Sequence, residues 1–538
     1  MVKDKHLIFV ILAIAAFFLV NALWIKLDTQ LPIIGDDPRW LEETYRMTEV
    51  VKTGDLGKVW EKWQTMFVEN TNSFPRTPLF TLMSVPVFLL TEPDENAAIT
   101  VNAFVLTISS LLLYFFIINL FNGVKNKKVI AVFSVLLLNL FQGYYGFARL
   151  YMSEILQLFF VILICLYINL LKEKPTVKVW FGLGVLFALS MLLRFLMPVY
   201  LLLPLCYFLY YQIKQKQGLK RYLILILAFC IGFLPLFLSW YGRNLLTYWD
   251  FTKLTSSGDL AEISSLGPVF SLVTVAKFWK VIALWHFGWT LLATIGIVFV
   301  LLIGKLRMSF LNIFKGKNKT KKALLMLFLL PLPALIVSTL NINKTARYLL
   351  PVEVFWIIFI AFFAALLWKV SKKFGRIIIV GLFVVLLYQF VQSASTTLPG
   401  FPVLGEIYTT NKYLKVDPKE EKYSYLYNYI VGELKPEQTA KFYLIPEQVQ
   451  LNDAELIWYF RQKGYALNTI GEFSSYTSLS QGIGKIEQAD YVIIDIAPVI
   501  SEKYLDKYKE MVNKVTEGNY IKIKINENLG LEIFVRVF

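Results

Sequence analysis

Apolar residues run almost unbroken through Leu7–Ile25, Ala97–Phe121, Val129–Phe147, Ile155–Leu171, Val179–Leu196, Val199–Ile213, Tyr222–Trp240, Val281–Ile303, Ala323–Leu340, Leu349–Trp368 and Ile377–Gln392. Each approaches the ~20 residues a bilayer-spanning helix needs, so the pattern predicts a polytopic α-helical membrane protein with about eleven transmembrane helices. The stretch "TPLFTLMSVPVFLL" (Thr77–Leu90) is too short to cross and is expected to lie along the membrane or re-enter it. Between the first two runs, "RWLEETYRMTEVVKTG" carries Trp40, Thr44, Met47 and Val51 on one helical face and Glu42, Glu43, Arg46 and Glu49 on the other. That spacing predicts an amphipathic juxtamembrane helix. After Gln392 the period changes again. The strand-like runs "AKFYLIP", "ADYVIIDI", "YIKIKI" and "LEIFVRV" alternate with helical stretches, and the last two flank "NENLG". This predicts a small α/β domain over residues 396–538, closed by a hairpin, after a transmembrane domain over 1–395 that includes a juxtamembrane loop at 27–96.

Composition places the chain in lipid, with 57% of its 538 residues hydrophobic and 17% charged. No small-residue cleavage site follows Leu7–Ile25, so this run is expected to be retained, with the amino terminus cytoplasmic. An odd number of crossings then puts the loops around Lys125, Lys172, Lys214, Lys305–Lys322 and Lys369–Arg376 on the cytoplasmic side. Lys and Arg dominate these loops, whose acids, together with the amino terminus, are Asp4 and Glu173. That bias is the positive-inside signature, and it makes the carboxyl-terminal domain extracytoplasmic. The net charge of +16 is therefore a topology signal, and no nucleic-acid partner is expected. Lysine-rich loops and a retained first helix fit a multi-pass protein of a bacterial plasma membrane. Cys165, Cys206 and Cys230 all lie in apolar runs, which excludes a disulfide or cysteine metal site outside the membrane. The carboxyl-terminal domain has no His, no Cys and no glycine-rich phosphate loop, so a substrate-guiding or packing role is expected of it.

The remaining information lies in charges at the outer ends of the helices: Asp36 and Asp37, Arg76, Arg149 and Glu154, Arg194, Arg243, His286, and Lys344, Arg347 and Glu353. An ionisable group beside a span costs free energy to bury, so it usually has a partner or a function. Gathered outer cations would make a cavity that attracts an anion. Each also has a plain reading: Arg76 and Arg243 as interfacial anchors, Arg149 and Glu154 as a local ion pair, Arg194 as a complement to a helix carboxyl end, and His286 as part of an aromatic belt. Asp37 precedes Pro38 and suits an N-cap with proline at the first helical position. Asp36 has no such duty, and it sits where a base acting on a lipid-borne substrate would be.

In this order, these residues resemble the GT-C superfamily of membrane glycosyltransferases, particularly its protein O-mannosyltransferase and lipid A aminoarabinose transferase branch. "GDDPRWLEETYRMTEVVKTGDL" is similar to the family's first outer loop, with Asp36 in the position of the catalytic Asp and Asp37 replacing a Glu. "RTPLF" resembles the family's Lys-Pro-Pro-Leu-aromatic segment, with Arg76 in place of the phosphate-side Lys; the acid often found just before it is Pro75 here, and Glu69 is the nearest carboxylate. "ARLYMSEILQLFF" matches an Arg-then-acid helix start through Arg149 and Glu154, and "NKTARYLLPVEVF" a late helix entry through Lys344, Arg347 and Tyr348.

The resemblance implies a polyprenyl-phosphate sugar donor and an extracytoplasmic acceptor hydroxyl on a protein, lipid or glycan. Asp36, with Asp37 beside it, would be the catalytic carboxylate that takes the acceptor proton. Arg76, Arg149, Arg194, Lys344 and Arg347 would bind the donor phosphate as its charge grows, and Glu154, Tyr348 and His286 would line the substrate pocket. A one-step displacement predicts inversion at the anomeric carbon. Alternatively, Asp36 and Asp37 would hold a divalent cation such as Mg, Mn or Ca through their oxygens. Two other classes compete. A secondary transporter or lipid flippase would place its charges near the membrane midplane on repeated, broken helices, and no repeat is visible. A non-catalytic scaffold of the same fold fits the pattern as well. Transfer of another lipid-linked group, such as phosphoethanolamine, calls for a metal site rich in His and acids, whereas this chain has only His6 and His286.

Overall fold

The computed structural model describes residues 4–27, 37–67, 76–91, 93–216, 218–257, 265–288, 291–293, 295–298, 300, 319–370, 373–393, 418–437, 439–446, 451–473, 479–496, 502–526 and 528–537. Asp36, Glu69, Pro75, the end of the Val281–Ile303 run, the basic stretch 301–318 and the segment 394–417 lie outside the described residues. Asp37 lies within them by its backbone, as the first residue of a helix.

The membrane part is built from α1 (Lys5–Leu27), α2 (Asp37–Lys52), α3 (Leu56–Thr65), α4 (Leu79–Leu90), α5 (Glu95–Leu120), α6 (Lys127–Leu140), α7 (Gln142–Phe147), α8 (Glu154–Leu171), α9 (Val177–Leu193), α10 (Met197–Lys214), α11 (Leu219–Ser257), α12 (Leu272–Ile282), α13 (Lys319–Leu329), α14 (Leu332–Leu340), α15 (Leu350–Val370) and α16 (Phe374–Gln392). Among the described residues, seven helical stretches are long and apolar enough to cross a membrane, and Leu79–Leu90 and Val177–Leu193 are shorter apolar helices.

The apolar runs and the helices differ in instructive places. Val129–Phe147 divides into α6 and α7 because Phe141 adopts an extended backbone between them. Ala323–Leu340 breaks at Pro331, which cannot donate to the preceding turn. Conversely, α11 continues well past Trp240 to Ser257, 39 residues in all and roughly twice what a bilayer requires. It packs along α9 through two glycines. A Cβ on Gly184 would collide with the Phe229 carbonyl oxygen, and one on Gly232 with that of Phe181. Small residues at both crossing points let the two backbones touch.

The carboxyl-terminal part is a five-stranded sheet of order β2-β1-β3-β5-β4. Its strands are β1 (Phe442–Ile445), β2 (Thr469–Glu472), β3 (Tyr491–Asp495), β4 (Tyr520–Asn526) and β5 (Leu531–Arg536). β1 is parallel to β2 and β3, while β5 runs antiparallel to β3 and to its hairpin partner β4. Helices α17 (Pro418–Tyr427), α18 (Asp453–Gln462), α19 (Leu479–Ile486) and α20 (Glu502–Thr516) cover it. Alternation along the strands separates two apolar layers. Phe442, Leu444 and Ile493 pack with Leu456 and Phe460, and Tyr443, Val492 and Ile494 pack with Ile486 and Met511.

This sheet unit is seated on α2. Arg461 of α18 donates from Nε and Nη2 to the two oxygens of Glu42, at 2.8 and 2.6 Å, with its guanidinium 4.3 Å over the Tyr45 ring. Arg39 donates to Glu472 at 2.8 Å. The start of the charged face of α2 is therefore covered by protein: Glu42 and Glu43 are buried, and Lys62 of α3 lies 3.0 Å from Glu43, while Glu49 further along stays exposed.

Candidate active site

Three helix ends meet beside the apolar face of α2. Trp40 packs edge-on against Phe67 and Phe80, and Phe80 lies 4.6 Å from the Tyr151 ring. The Thr44 and Tyr151 hydroxyls are 2.9 Å apart, which fixes the turn ahead of α8 against α2. Asn102 of α5 holds the same turn from behind by donating to the Leu150 and Met152 carbonyls.

That turn delivers Glu154, the first residue of α8, to a position 1% exposed. Its Oε1 lies 3.5 Å from Arg194, at the carboxyl end of α9, and 3.6 Å from Arg347, in the short 3-10 turn ahead of α15. Both Glu154 oxygens are buried without a hydrogen bond among the described residues. The two guanidiniums share a platform, Arg194 4.6 Å and Arg347 5.7 Å from the centre of the Tyr348 ring. Tyr200 donates to the Tyr348 carbonyl at 2.7 Å, and Arg347 also reaches the Met152 sulfur at 3.8 Å.

Arg76 enters beside this cluster. Its guanidinium lies 5.6 Å from the Trp40 ring, and the next residue, Thr77, donates to the Leu193 carbonyl at 2.5 Å, one residue before Arg194. Tyr248, on the extension of α11, is within electrostatic reach of Arg194, Tyr348 and Arg76, and its ring is 5.7 Å from Phe195. The centre therefore holds two guanidiniums on one buried carboxylate, with Arg76 on the neighbouring Trp40 ring and tyrosines framing the group. Such a site has a surplus of positive charge and fixed guanidinium donors, the chemistry that holds a phosphate.

The other sequence-selected residues stand apart from this cluster. Arg149 is fully buried, donating to Asn21 at 2.9 Å and to the Ser393 hydroxyl at 2.7 Å, and ringed by Trp24, Tyr145 and Phe390. It ties α1, the α7–α8 turn and α16 together. Lys344 donates to the Ser338, Thr339 and Asn341 carbonyls, which the end of α14 leaves unpaired, and burial lowers its pKa. Arg243 is exposed. His286 is fully buried in a π-helical turn (Ala283–Phe287), with its Nδ1 2.7 Å from Glu353 on the first turn of α15. Gln142 donates to the Leu284 carbonyl and Tyr144 to that of Leu350. This network fixes the entry of α15, on which Arg347 and Tyr348 ride.

Asp37 opens α2, directly followed by Pro38, and the apolar face of that helix borders the cluster. Among the described residues there is no group of three or more His, Cys, Asp or Glu side chains arranged to hold a metal ion. Sequence reasoning missed Tyr151, Tyr200 and Tyr248. The seven-residue spacing of Tyr241 and Tyr248, just past an apolar run, is the signal that the helix continues into the site.

Fold and site together define a polytopic membrane protein of the GT-C fold, with a small sheet unit at its carboxyl end. A family model described as dolichyl-phosphate-mannose-protein mannosyltransferase matches residues 75–240. The fold is similar to the crystal structure of ArnT from Cupriavidus metallidurans bound to undecaprenyl phosphate, at 14% identity over 98% of each chain with a TM-score of 0.54. It is also similar to apo ArnT from the same organism, at 12% identity over 99% of each chain with a TM-score of 0.55. A crystal structure of the Archaeoglobus fulgidus oligosaccharyltransferase in complex with Zn and sulfate matches at 13% identity, covering 95% of this chain and 72% of that one, with a TM-score of 0.50. No curated protein matches the sequence. The resemblance to the GT-C superfamily read from the motifs is thus borne out by the fold and by the family model.

Proposed function

We propose that this protein is a membrane glycosyltransferase that moves a sugar from a polyprenyl-phosphate donor to an acceptor hydroxyl on the outer face of the membrane. The observation that carries this reading is the convergence of Arg194 and Arg347 on buried Glu154 and on the Tyr348 ring, beside Arg76 and next to α2. Undecaprenyl phosphate bound to ArnT, a protein of similar fold, supports a lipid phosphate as the anion.

In this proposal Arg76, Arg194 and Arg347 hold the donor phosphate and stabilise the charge it gains as the glycosidic bond breaks. One fixed donor of this kind is worth ~10²–10³-fold in rate. Glu154 spaces the two arginines, and its buried charge keeps both guanidiniums directed inward. Asp36 accepts the proton of the acceptor hydroxyl as the oxygen attacks the anomeric carbon, with inversion. A positioned base contributes ~10²–10⁴-fold. Arg149, Lys344 and His286 act at a remove, by fixing the helix ends that carry the site. The acceptor is a lipid, glycan or protein, and the sheet unit, held over α2, guides it.

The test is transfer in proteoliposomes from a panel of radiolabelled polyprenyl-phosphate sugars to cell-envelope acceptors, comparing wild type with Asp36→Asn. Transfer by the wild type, abolished in the variant while donor binding persists, is the expected result. Equal transfer by both removes Asp36 as the base, and absence of transfer from any donor overturns the reading. The same assay with a chelator separates the two roles open to the Asp pair: activity is expected to survive, and its loss, restored by added Mg or Mn, would make Asp36 and Asp37 cation ligands.

A further inference from the structure

A second charged cavity lies at the opposite ends of the helices that build the candidate active site. Its volume is about 930 Å³, and Lys172, Lys174, Lys214 and Lys322 line it, with Glu173 the one acid among the lining residues. Lys172 follows the last residue of α8, whose first residue is Glu154, and Lys214 ends α10, which begins three residues after Arg194. An 18-residue helix rises roughly 27 Å, close to the ~30 Å thickness of a hydrocarbon layer. The cavity therefore sits at the other membrane face from the Glu154 cluster.

Two features distinguish this cavity from an ordinary basic loop. First, it is built. Lys172 donates to Asn169 at 2.9 Å and to the Tyr207 hydroxyl at 2.8 Å, and it sits 4.9 and 5.0 Å from the Tyr207 and Tyr211 rings. Its carbonyl accepts from buried Gln212, which Trp180 holds in turn at 3.1 Å. Among the described residues, none of the four lining lysines forms an ion pair with a carboxylate. Second, the cavity is amphiphilic and opens sideways. Leu170, Tyr210, Leu325 and Leu329 line it and are also exposed on the flank of the helix bundle, where lipid would lie.

We infer that this cavity binds the phosphate headgroup of an anionic phospholipid drawn laterally from the surrounding leaflet. Lys172 and its three neighbours would hold the phosphate, and the leucine-lined wall would take an acyl chain. The cationic rim, in which four lysines outnumber the single acid Glu173, and the lateral apolar opening each match one part of such a molecule. A zwitterionic lipid brings the phosphate together with a cation that the lysines repel, and a free anion satisfies only the charge. The site is independent of the glycosyl-transfer reading, since no group in it takes part in the Glu154 cluster.

The test is native mass spectrometry and thermal unfolding of the full chain after transfer from bilayers of phosphatidylglycerol or of phosphatidylcholine. Phosphatidylglycerol is expected to remain bound and to raise the unfolding midpoint, while phosphatidylcholine is not. Lys172→Met, and separately the exposed pair Lys214→Gln with Lys322→Gln, are expected to weaken retention by roughly fivefold for each lysine removed. The double variant keeps the test valid if Lys172→Met fails to fold. Equal retention of both lipids, or retention unchanged in the double variant, would overturn the inference. Stabilisation by inorganic phosphate alone that matches phosphatidylglycerol would replace the lipid with a free anion.

Discussion

Glu154 is a carboxylate taken out of water and set between two arginines at distances longer than a hydrogen bond, with both of its oxygens unbonded among the described residues. Burying such a charge is costly, and the surrounding cations offset the cost incompletely when the geometry is this loose. A ligand phosphate joining the cluster would accept from Arg194 and Arg347 and draw the guanidiniums into full hydrogen bonding. On the proposed function, Arg194→Ala and Arg347→Ala each lower kcat/KM by about 10²-fold, and Arg347→Lys recovers only part of the loss because an ammonium lacks the planar fork. Arg149 makes a contrasting control. Its donors serve Asn21 and Ser393, so Arg149→Ala is expected to destabilise the fold by about 3 kcal/mol, read as a fall in the unfolding midpoint. A loss of turnover in Arg149→Ala with no loss of stability would instead put Arg149 at the phosphate.

Among the elements, α9 and α11 depend on the absence of two side chains. Gly184 and Gly232 face each other's helix so closely that a Cβ on either meets a backbone carbonyl, which cannot rotate away. Gly184→Val or Gly232→Val is expected to cost about 1–3 kcal/mol and, by shifting the end of α9, to displace Arg194 and reduce donor affinity. Differential unfolding and donor binding measured on the same samples check both effects. The glycines were visible in the sequence but their contact was not, since nothing local marks which two helices cross. The apolar runs located most helices because lipid imposes one length and one polarity on them. They missed the extension of α11 because a helix that leaves lipid keeps its hydrogen bonds while losing its apolar signature. The charges of the site stood out for a related reason: Glu154, Arg194 and Arg347 are costly beside a span and so conspicuous. Tyr200 and Tyr248 cost nothing there; packing revealed Tyr200, and the spacing of Tyr241 and Tyr248 marks the continuing helix without marking the site. The amphipathic pattern of α2 was legible, yet Glu42 on its charged face meets Arg461 rather than water, a partner 419 residues away.

At the scale of the molecule, that pairing decides how the sheet unit relates to the site. Two oxygens of Glu42 take two donors of Arg461, and Arg39, two residues after Asp37, holds Glu472. Charge-assisted hydrogen bonds of this kind contribute about 2 kcal/mol each. Arg461→Ala together with Glu472→Gln is therefore expected to release the unit from α2, raising hydrogen exchange along Asp37–Lys52 while the strands stay protected. The arrangement also makes a prediction about sidedness. Because the unit rests on α2 and α2 borders the Glu154 cluster, the unit and the cluster must face the same compartment. Lys125 sits in the turn between α5 and α6, with Asn119 and Asn122 of the opposite cavity close by in the chain. On the topology expected from the charge bias of the loops, the cluster's side is the outer one. With Cys165, Cys206 and Cys230 replaced by Ala, a cysteine at the exposed position Lys463→Cys is expected to react with an impermeant maleimide applied to intact cells. One at the exposed position Lys125→Cys should react only after the membrane is opened. The reverse pattern would turn the molecule over and put the proposed transfer on the cytoplasmic face. Reaction of both in intact cells would mean that α5 does not separate two compartments, contrary to its 26 apolar-rich residues.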